Sequence, residues 1–279
     1  MSLTAVAKKD FQDAARSRRL LALIAVFVLF VGGLAYFFAE IAGSGGGSSE
    51  QGALALIGSL LVPTAILLPA IGVLTGYRAV SNERETGSLK ILLSLPHSRE
   101  DVVFGKFLGR SVVVTLAVVV GFAVGGIVLA VLASTFSVVD YVLFTLMTIL
   151  LGTTFVSVGV GLSAGIKSEN LVVTIGIALV VLFTLLWQVL LVALMAIMSN
   201  FELGSQAFRA DLTTFLAVLS PRQAYLLAFS ALTELNESVP MGANNEAFWL
   251  NDWFGFVVLA FWLVVPLTLG YLRFRKADL

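Results

Sequence analysis

Cysteine is absent from this 279-residue chain and histidine occurs once, as His97. Disulfides, thiolate nucleophiles and thiolate metal sites are therefore excluded, and so is a cluster of imidazole ligands. Charge is nearly as scarce. Only 12% of the residues are charged and 59% are hydrophobic, where soluble domains carry about 25% charged residues. The 17 basic and 17 acidic residues cancel, which leaves no basic excess to hold nucleic acid, and none is expected as a partner. The phosphate loop Gly-x-x-x-x-Gly-Lys-Ser/Thr does not occur, because Gly105-Lys106 lacks the upstream glycine pattern and is followed by Phe107.

What the chain has in abundance is apolar sequence. A transmembrane helix needs about 20 apolar residues, and six stretches supply them, at 20–42, 54–77, 111–133, 141–166, 171–198 and 254–272. The predicted fold is an all-α integral membrane protein of six transmembrane helices, one domain over 1–279. Lys8, Lys9, Arg16, Arg18 and Arg19 precede the first span, and the Gly/Ser-rich connection 43–52 behind it has no Lys or Arg. No polar stretch with a small-residue cleavage site follows, so this span is expected to stay attached. Lys and Arg keep sorting by side, with Arg78, Arg84, Lys90, Arg99, Lys106 and Arg110 in the second connection, Lys167 in the fourth, and Arg273, Arg275 and Lys276 at the end. These positions are expected in the cytoplasm, and both termini with them, in a multi-pass protein of the plasma or inner membrane. The opposite connections hold Arg209 and Arg222 among Glu202, Asp211, Glu234, Glu237, Glu246 and Asp252.

Polar groups inside the spans are few. An ion-driven secondary transporter normally retains ionisable side chains at mid-depth, because burying one costs about 2.5–3.5 kcal/mol on insertion scales. The nearest candidates are Glu40, at the outer end of its span, and Gln188. Paired acids, a Ser-Lys dyad or a ligand set for a membrane hydrolase are not visible either, so no catalytic or metal residue is assigned.

Local patterns add detail. Leu3, Val6, Ala7, Phe11, Ala14 and Ala15 recur at roughly helical spacing among Lys8, Lys9, Asp13 and Arg16, which fits a short helix at the inner membrane surface and equally a plain topogenic positive cluster. Pro63, Pro69 and Pro266 lie inside spans two and six and predict kinks there. Gly121, Gly125 and Gly126, then Gly152, Ser157, Gly159, Gly161 and Gly165, line spans three and four and predict close helix approach within the chain. In the connection 199–253, two apolar runs at 211–219 and 223–232 flank Ser220-Pro221-Arg222. They are too short to span, and two short outer helices are predicted, lying at the interface or re-entering it. Trp249, Trp253 and Trp262 fall at or near the start of the last span, where indoles favour the headgroup layer.

The insert 78–110 between spans two and three carries the functional signal. Leu89, Ile91, Leu92, Leu93 and Leu95 form an apolar segment far too short to cross a membrane, and it ends at Pro96. It is expected to bury against protein or the inner leaflet. Ser98 with Asp101 three residues later reads as a helix N-cap, and Val102, Val103, Phe104, Phe107 and Leu108 carry a second amphipathic helix toward span three. A helix below the bilayer tied to two spans is a lever.

At these residues the chain resembles the permease subunits of type-2 ABC exporters. The run Asn82-Glu83-Arg84-Glu85-x-Gly87-x-Leu89-x-x-Leu92-Leu93-Ser94-x-Pro96-x-Ser98-Arg99, followed by Gly105-Lys106, looks like that family's cytoplasmic signature. The resemblance implies a non-catalytic membrane subunit whose coupling helix docks on a separate ABC ATPase, with ATP and magnesium bound on that partner and no cofactor here. It also implies a second copy of the chain. In that interface Glu83, Arg84 and Glu85 would pair charges, Leu89, Leu92 and Leu93 would fill a groove, Gly87 would allow the turn, and Ser94, Pro96, Ser98 and Arg99 would complete the segment. Within the family the basic start, the Glu-Arg-rich insert and Ser220-Pro221-Arg222-Gln223-Ala224-Tyr225 resemble permeases of the nitrous-oxide-reductase maturation type, which implies a part in copper-enzyme assembly. A copper relay through the membrane does not follow, since Met195 and Met198 are the nearest pair of soft side chains and two thioethers more often serve packing. Export, and ATP-driven motion conveyed to an extracytoplasmic partner protein without transport, both fit.

Overall fold

A computed structural model describes residues 3–44, 50–87, 98–132, 137–233, 249 and 251–277. Regular structure among the described residues is helical: α1 (Leu3–Ala15), α2 (Arg18–Ser44), α3 (Glu50–Gly76), α4 (Ser81–Glu85), α5 (Arg99–Leu132), α6 (Val138–Gly165), α7 (Glu169–Val181), α8 (Trp187–Asn200), α9 (Gln206–Val218), α10 (Pro221–Ser230) and α11 (Phe254–Arg275). A π turn, Leu182–Leu186, joins α7 to α8. Among the described residues, five stretches are long and apolar enough to cross a membrane: Ile57–Glu85, Arg99–Leu132, Val138–Gly165, Glu169–Asn200 and Phe254–Arg275. A sixth crossing, through α2, stays an expectation from sequence.

Serines start several helices for a local reason. Their hydroxyls accept backbone N–H groups that the first turn leaves without partners: Ser137 from Asp140, Ser168 from Leu171 and Ser205 from Phe208. Ser98 and Asp101 form a reciprocal pair, Ser98 N donating to Asp101 Oδ2 at 3.0 Å and Asp101 N to Ser98 Oγ at 3.0 Å. The cap expected at this position is therefore present. Beyond it α5 runs 34 residues without a break, carrying the helix predicted after the cap into the third apolar stretch. No proline lies between Arg99 and Leu132, and Gly105 and Gly109 are each covered by α1.

The core is α3, α6 and α11, packed on small residues. A Cβ on Gly76 would lie 2.8 Å from the Val156 carbonyl oxygen, and one on Gly159 would lie 2.8 Å from that of Val73. Gly161 and Gly270 bring α6 and α11 equally close, and the Ser157 hydroxyl donates to the Leu263 carbonyl across the same seam. On the other flank α2 packs on α5, with Gly121 against Phe27 and Gly125 against Val31, and Phe122 stacked on Phe27 at 6.3 Å. The predicted glycine stripes thus serve contacts inside the chain. α3 and α11 continue as helix past Pro63, Pro69 and Pro266. The α7–α8 helix, in contrast, is largely exposed along Leu171, Ile177, Leu185, Leu186, Val189, Leu190 and Val192, and Gln188 is exposed with them.

α1, the start of α5 and the end of α11 gather at one end of the bundle, which we call proximal. At the distal end α9 and α10 fold back into the helices. The Trp187 indole donates to the Leu216 carbonyl at 3.2 Å and the Trp262 indole to the Leu219 carbonyl at 2.9 Å, while the Tyr225 hydroxyl meets that of Thr148 at 3.2 Å. Trp262 lies eight residues inside α11, about 12 Å at 1.5 Å per residue, so the hairpin tip reaches well below the distal rim. Trp262 accordingly does not sit at the helix start as expected but holds the hairpin, whereas Trp253 is exposed.

Candidate functional site

α4 occupies the proximal end between two long helices, and almost every polar side chain in it secures a different neighbour. Ser163 Oγ, near the end of α6, accepts the backbone N–H groups of Val80 and Ser81 at 3.0 and 2.9 Å. Arg84 donates to the carbonyls of Ile166 and Ala164 at 3.0 and 3.1 Å, so its cation caps the negative end of α6. Glu85 accepts from the backbone N–H of Glu169 at 2.9 Å, an anion at the positive end of α7. Arg78 pairs with Glu169. Gly87 has φ +74° and closes the turn behind α4, its N–H bonded to the Arg84 carbonyl at 3.3 Å, a conformation side-chain-bearing residues seldom adopt.

Glu83 turns inward. Lys106 Nζ lies 2.7 Å from its Oε1 and 3.5 Å from Asp10 Oδ1. Arg110 Nε approaches Asp10 Oδ2 at 2.8 Å. Lys106 is 4% and Asp10 5% exposed, so two acids and two bases form a neutral cluster with a dry centre and partly exposed Glu83 and Arg110 at its edges. Coulomb attraction strengthens there, but a lone charge would be costly. The cluster ties α1, α4 and α5 together.

Arg99 completes the junction on the other side of the insert. It donates to the carbonyls of Phe274, Arg275 and Ala277 at 2.8, 2.9 and 2.8 Å, capping α11. Arg84 and Arg99 also lie over the Phe274 ring, at 5.5 and 5.7 Å from its centroid. Glu100 accepts from the Tyr271 hydroxyl at 2.5 Å.

Of the residues singled out in sequence, Glu83, Arg84, Glu85, Gly87, Ser98 and Arg99 are thus gathered around the two ends of one segment. Leu89, Leu92, Leu93, Ser94 and Pro96 lie in 88–97, outside the described residues, as does His97. Sequence reasoning missed Asp10. Its signal was position: it falls four residues after Val6, on the face of α1 that turns toward α5. Met195 and Met198 do not converge, one being 44% and the other 6% exposed.

Five long apolar helices among the described residues, with a buried hairpin at one end and a charge-stapled junction at the other, give the build of a multi-pass membrane protein. The chain belongs to the ABC-2 transporter family, whose model, described as ABC-2 family transporter protein, matches residues 4–279. It is 27% identical over 283 residues to the probable ABC transporter permease protein NosY of Stutzerimonas stutzeri, and 30% identical over 286 residues to the protein of the same name from Pseudomonas aeruginosa, each alignment covering 97% of both chains. It is therefore a permease of an ABC transporter, set in the inner membrane, and the ion-driven reading is set aside.

Proposed function

We propose that this permease couples ATP hydrolysis on a separate ABC ATPase to export, with residues 88–97 as the docking segment. The observation that carries the reading is the junction around that segment. Both of its flanks are fastened to helix ends: Glu83, Arg84 and Glu85 to α5, α6 and α7, and Arg99 to α11. A push on such a segment moves four long helices together, whereas a solvated loop would absorb it. Leu89, Leu92 and Leu93 would enter the ATPase groove, with Ser94, Pro96 and Ser98 shaping the turn. The proximal end is then cytoplasmic, in keeping with its Lys and Arg, and α2 supplies the sixth crossing. Two copies would assemble with two ATPases, which bind the nucleotide and magnesium while this subunit remains non-catalytic.

The distal hairpin favours a second output. The Trp187 and Trp262 bonds tie it to α8 and α11, so motion of these helices is passed to the outer face and to a partner protein there. The likeness to the NosY permeases makes a copper-enzyme maturation system the expected setting.

The test is affinity purification of the tagged chain from native membranes, followed by ATPase assay of the complex. A stoichiometric ABC ATPase is expected, and Leu92→Asp is expected to release it while leaving the permease folded. Full ATP-coupled activity with Leu92→Asp, or no ATPase retained even after cross-linking, would refute the docking role.

A further inference from the structure

The π turn Leu182–Leu186 divides the stretch Glu169–Asn200 into two halves with different attachments. α7 belongs to the bundle. Glu169 at its start is held by Arg78 and Glu85, Val172 is fully buried, and a Cβ on Gly176 would lie 2.8 Å from Val73 Cγ1 of α3. α8 is attached elsewhere. It packs on α9 and on the π turn, α9 packs on α8 and α10, and contacts of either with the long bundle helices are sparse among the described residues.

Within itself the α8–α9 pair is stiff. At the corner Glu202 and Gly204 both take positive φ, +52° and +74°. The Met198 carbonyl there accepts the Leu203 N–H at 2.9 Å and the Arg209 guanidinium at 3.1 Å, and Ser205 caps α9. At the other end Trp187, which opens α8, donates to Leu216 in the last turn of α9 at 3.2 Å. The two helices are thus fastened to each other at both ends.

Both chain connections of the pair return to one place. The buried Phe183 ring of the π turn lies 5.2 Å from Trp187 and 4.9 Å from Trp262, and Leu219, just past α9, accepts the Trp262 indole N–H at 2.9 Å. The Phe215–Trp249 ring contact at 5.6 Å lies at the same end of α9. A body rigid within itself and fastened along one edge rotates about that edge. π turns are recurrent bending points, and here the Thr184 hydroxyl returns to the Val180 carbonyl at 2.6 Å, a bond that favours bending.

We propose that α8 and α9 form a rigid flap hinged at Trp262, with the π turn and the Leu219–Ser220 junction as its hinge points, swinging as one body against α3, α6 and α11. The 14 residues of α8 carry the flap about 21 Å from the hinge. A rotation of about 10° moves the corner at Phe201 by about 3–4 Å. α11, whose proximal end is capped by Arg99, carries Trp262, so displacement of α11 turns the flap. The hinge is a property of the permease chain alone, and its use as the moving part of the distal output rests on the coupling role proposed above.

The missing cysteine allows exposed positions to be spin-labelled in pairs. The full-length chain is placed in bilayers with an excess of unlabelled chain, so that distances within one chain are read, and without nucleotide. Phe201→Cys with Val139→Cys spans flap and bundle, Leu190→Cys with Phe208→Cys lies within the flap, and Val139→Cys with Leu269→Cys lies within the bundle, all at exposed positions. The flap–bundle distribution is expected to be broader than either control by about 3 Å or more. Trp262→Phe keeps a ring against Phe183 and removes the bond to Leu219; it is expected to broaden that distribution further and to leave the pair within the flap unchanged. A flap–bundle distribution as narrow as the one within the bundle would overturn the hinge. So would a distribution within the flap as broad as the flap–bundle one, since α8 and α9 would then not move together. The readout needs neither ATPase nor nucleotide, so failure of the hinge and failure of the docking role are told apart.

Discussion

Lys106 and Glu83 stand 23 positions apart, one on each side of the insert, and meet at 2.7 Å. That contact joins the two flanks of the segment 88–97, and Asp10 extends the junction to the N-terminal helix. The pairing is a consequence of burial. A lysine pressed by Gly105 and Gly109 packing against α1 has no water to turn to, so it takes the two carboxylates that face it. The same economy operates in Arg84 and Arg99, each of which spends its donors on the carbonyls of a helix end.

Removing the cation should therefore cost more than an exposed ion pair would. Lys106→Met leaves Glu83 and Asp10 facing each other across a nearly dry space, with Arg110 as the remaining base near Asp10. A loss of about 3–5 kcal/mol is expected for a buried charge deprived of its partner, read as a lower unfolding midpoint of the detergent-solubilised protein. Combining it with Asp10→Asn should recover part of the loss, since one acid and one base of the cluster then remain in balance, and a double-mutant cycle would return a coupling of about 0.5–3 kcal/mol. Strict additivity would show that the cluster does not act as a unit.

The glycines permit a sharper comparison. A Cβ on Gly159 meets the Val73 carbonyl oxygen at 2.8 Å and Gly76 Cα at 3.1 Å, both backbone atoms that cannot swing aside, whereas one on Gly33 meets nothing within 4 Å. Gly159→Leu should separate α6 from α3 and destabilise the protein by about 1–3 kcal/mol or more. Gly33→Leu should be neutral or slightly stabilising, because glycine is a poor helix former. Thermal midpoints of the two variants, measured side by side in one detergent, check the pair.

Much of this architecture was legible because its signals are local. Apolar run length gave the long helices, and Ser98 with Asp101 gave the start of α5. Asp10 was not legible, since an acid on one face of a short helix acquires meaning only from Lys106 and Arg110, about 100 residues away. The depth of the α9–α10 hairpin was hidden for the same reason. Two short apolar runs read alike whether they lie on the bundle's surface or pack into it, and what holds them in is the pair of indole donors at Trp187 and Trp262, 29 and 43 positions from their carbonyls. The break of α7–α8 into a π turn at Leu182–Leu186 had no proline or glycine to announce it.

The hairpin's depth can be tested through the missing cysteine. With no thiol in the wild-type chain, a single Ser220→Cys reports on the tip alone, and Ser220 is 1% exposed. A membrane-impermeant maleimide should label it slowly, and far more slowly than a cysteine at exposed Phe201. Trp262→Phe then removes the donor to the Leu219 carbonyl while preserving an aromatic ring against Phe183. A buried carbonyl left without a partner costs about 1–3 kcal/mol, which is enough to raise the open population of the hairpin roughly 5- to 150-fold at 1.4 kcal/mol per decade. Labelling at position 220 should accelerate accordingly, with little change at position 201. Rapid labelling of Ser220→Cys in the otherwise unaltered chain would place the tip at the surface and remove the indole bonds from any account of how this end is held.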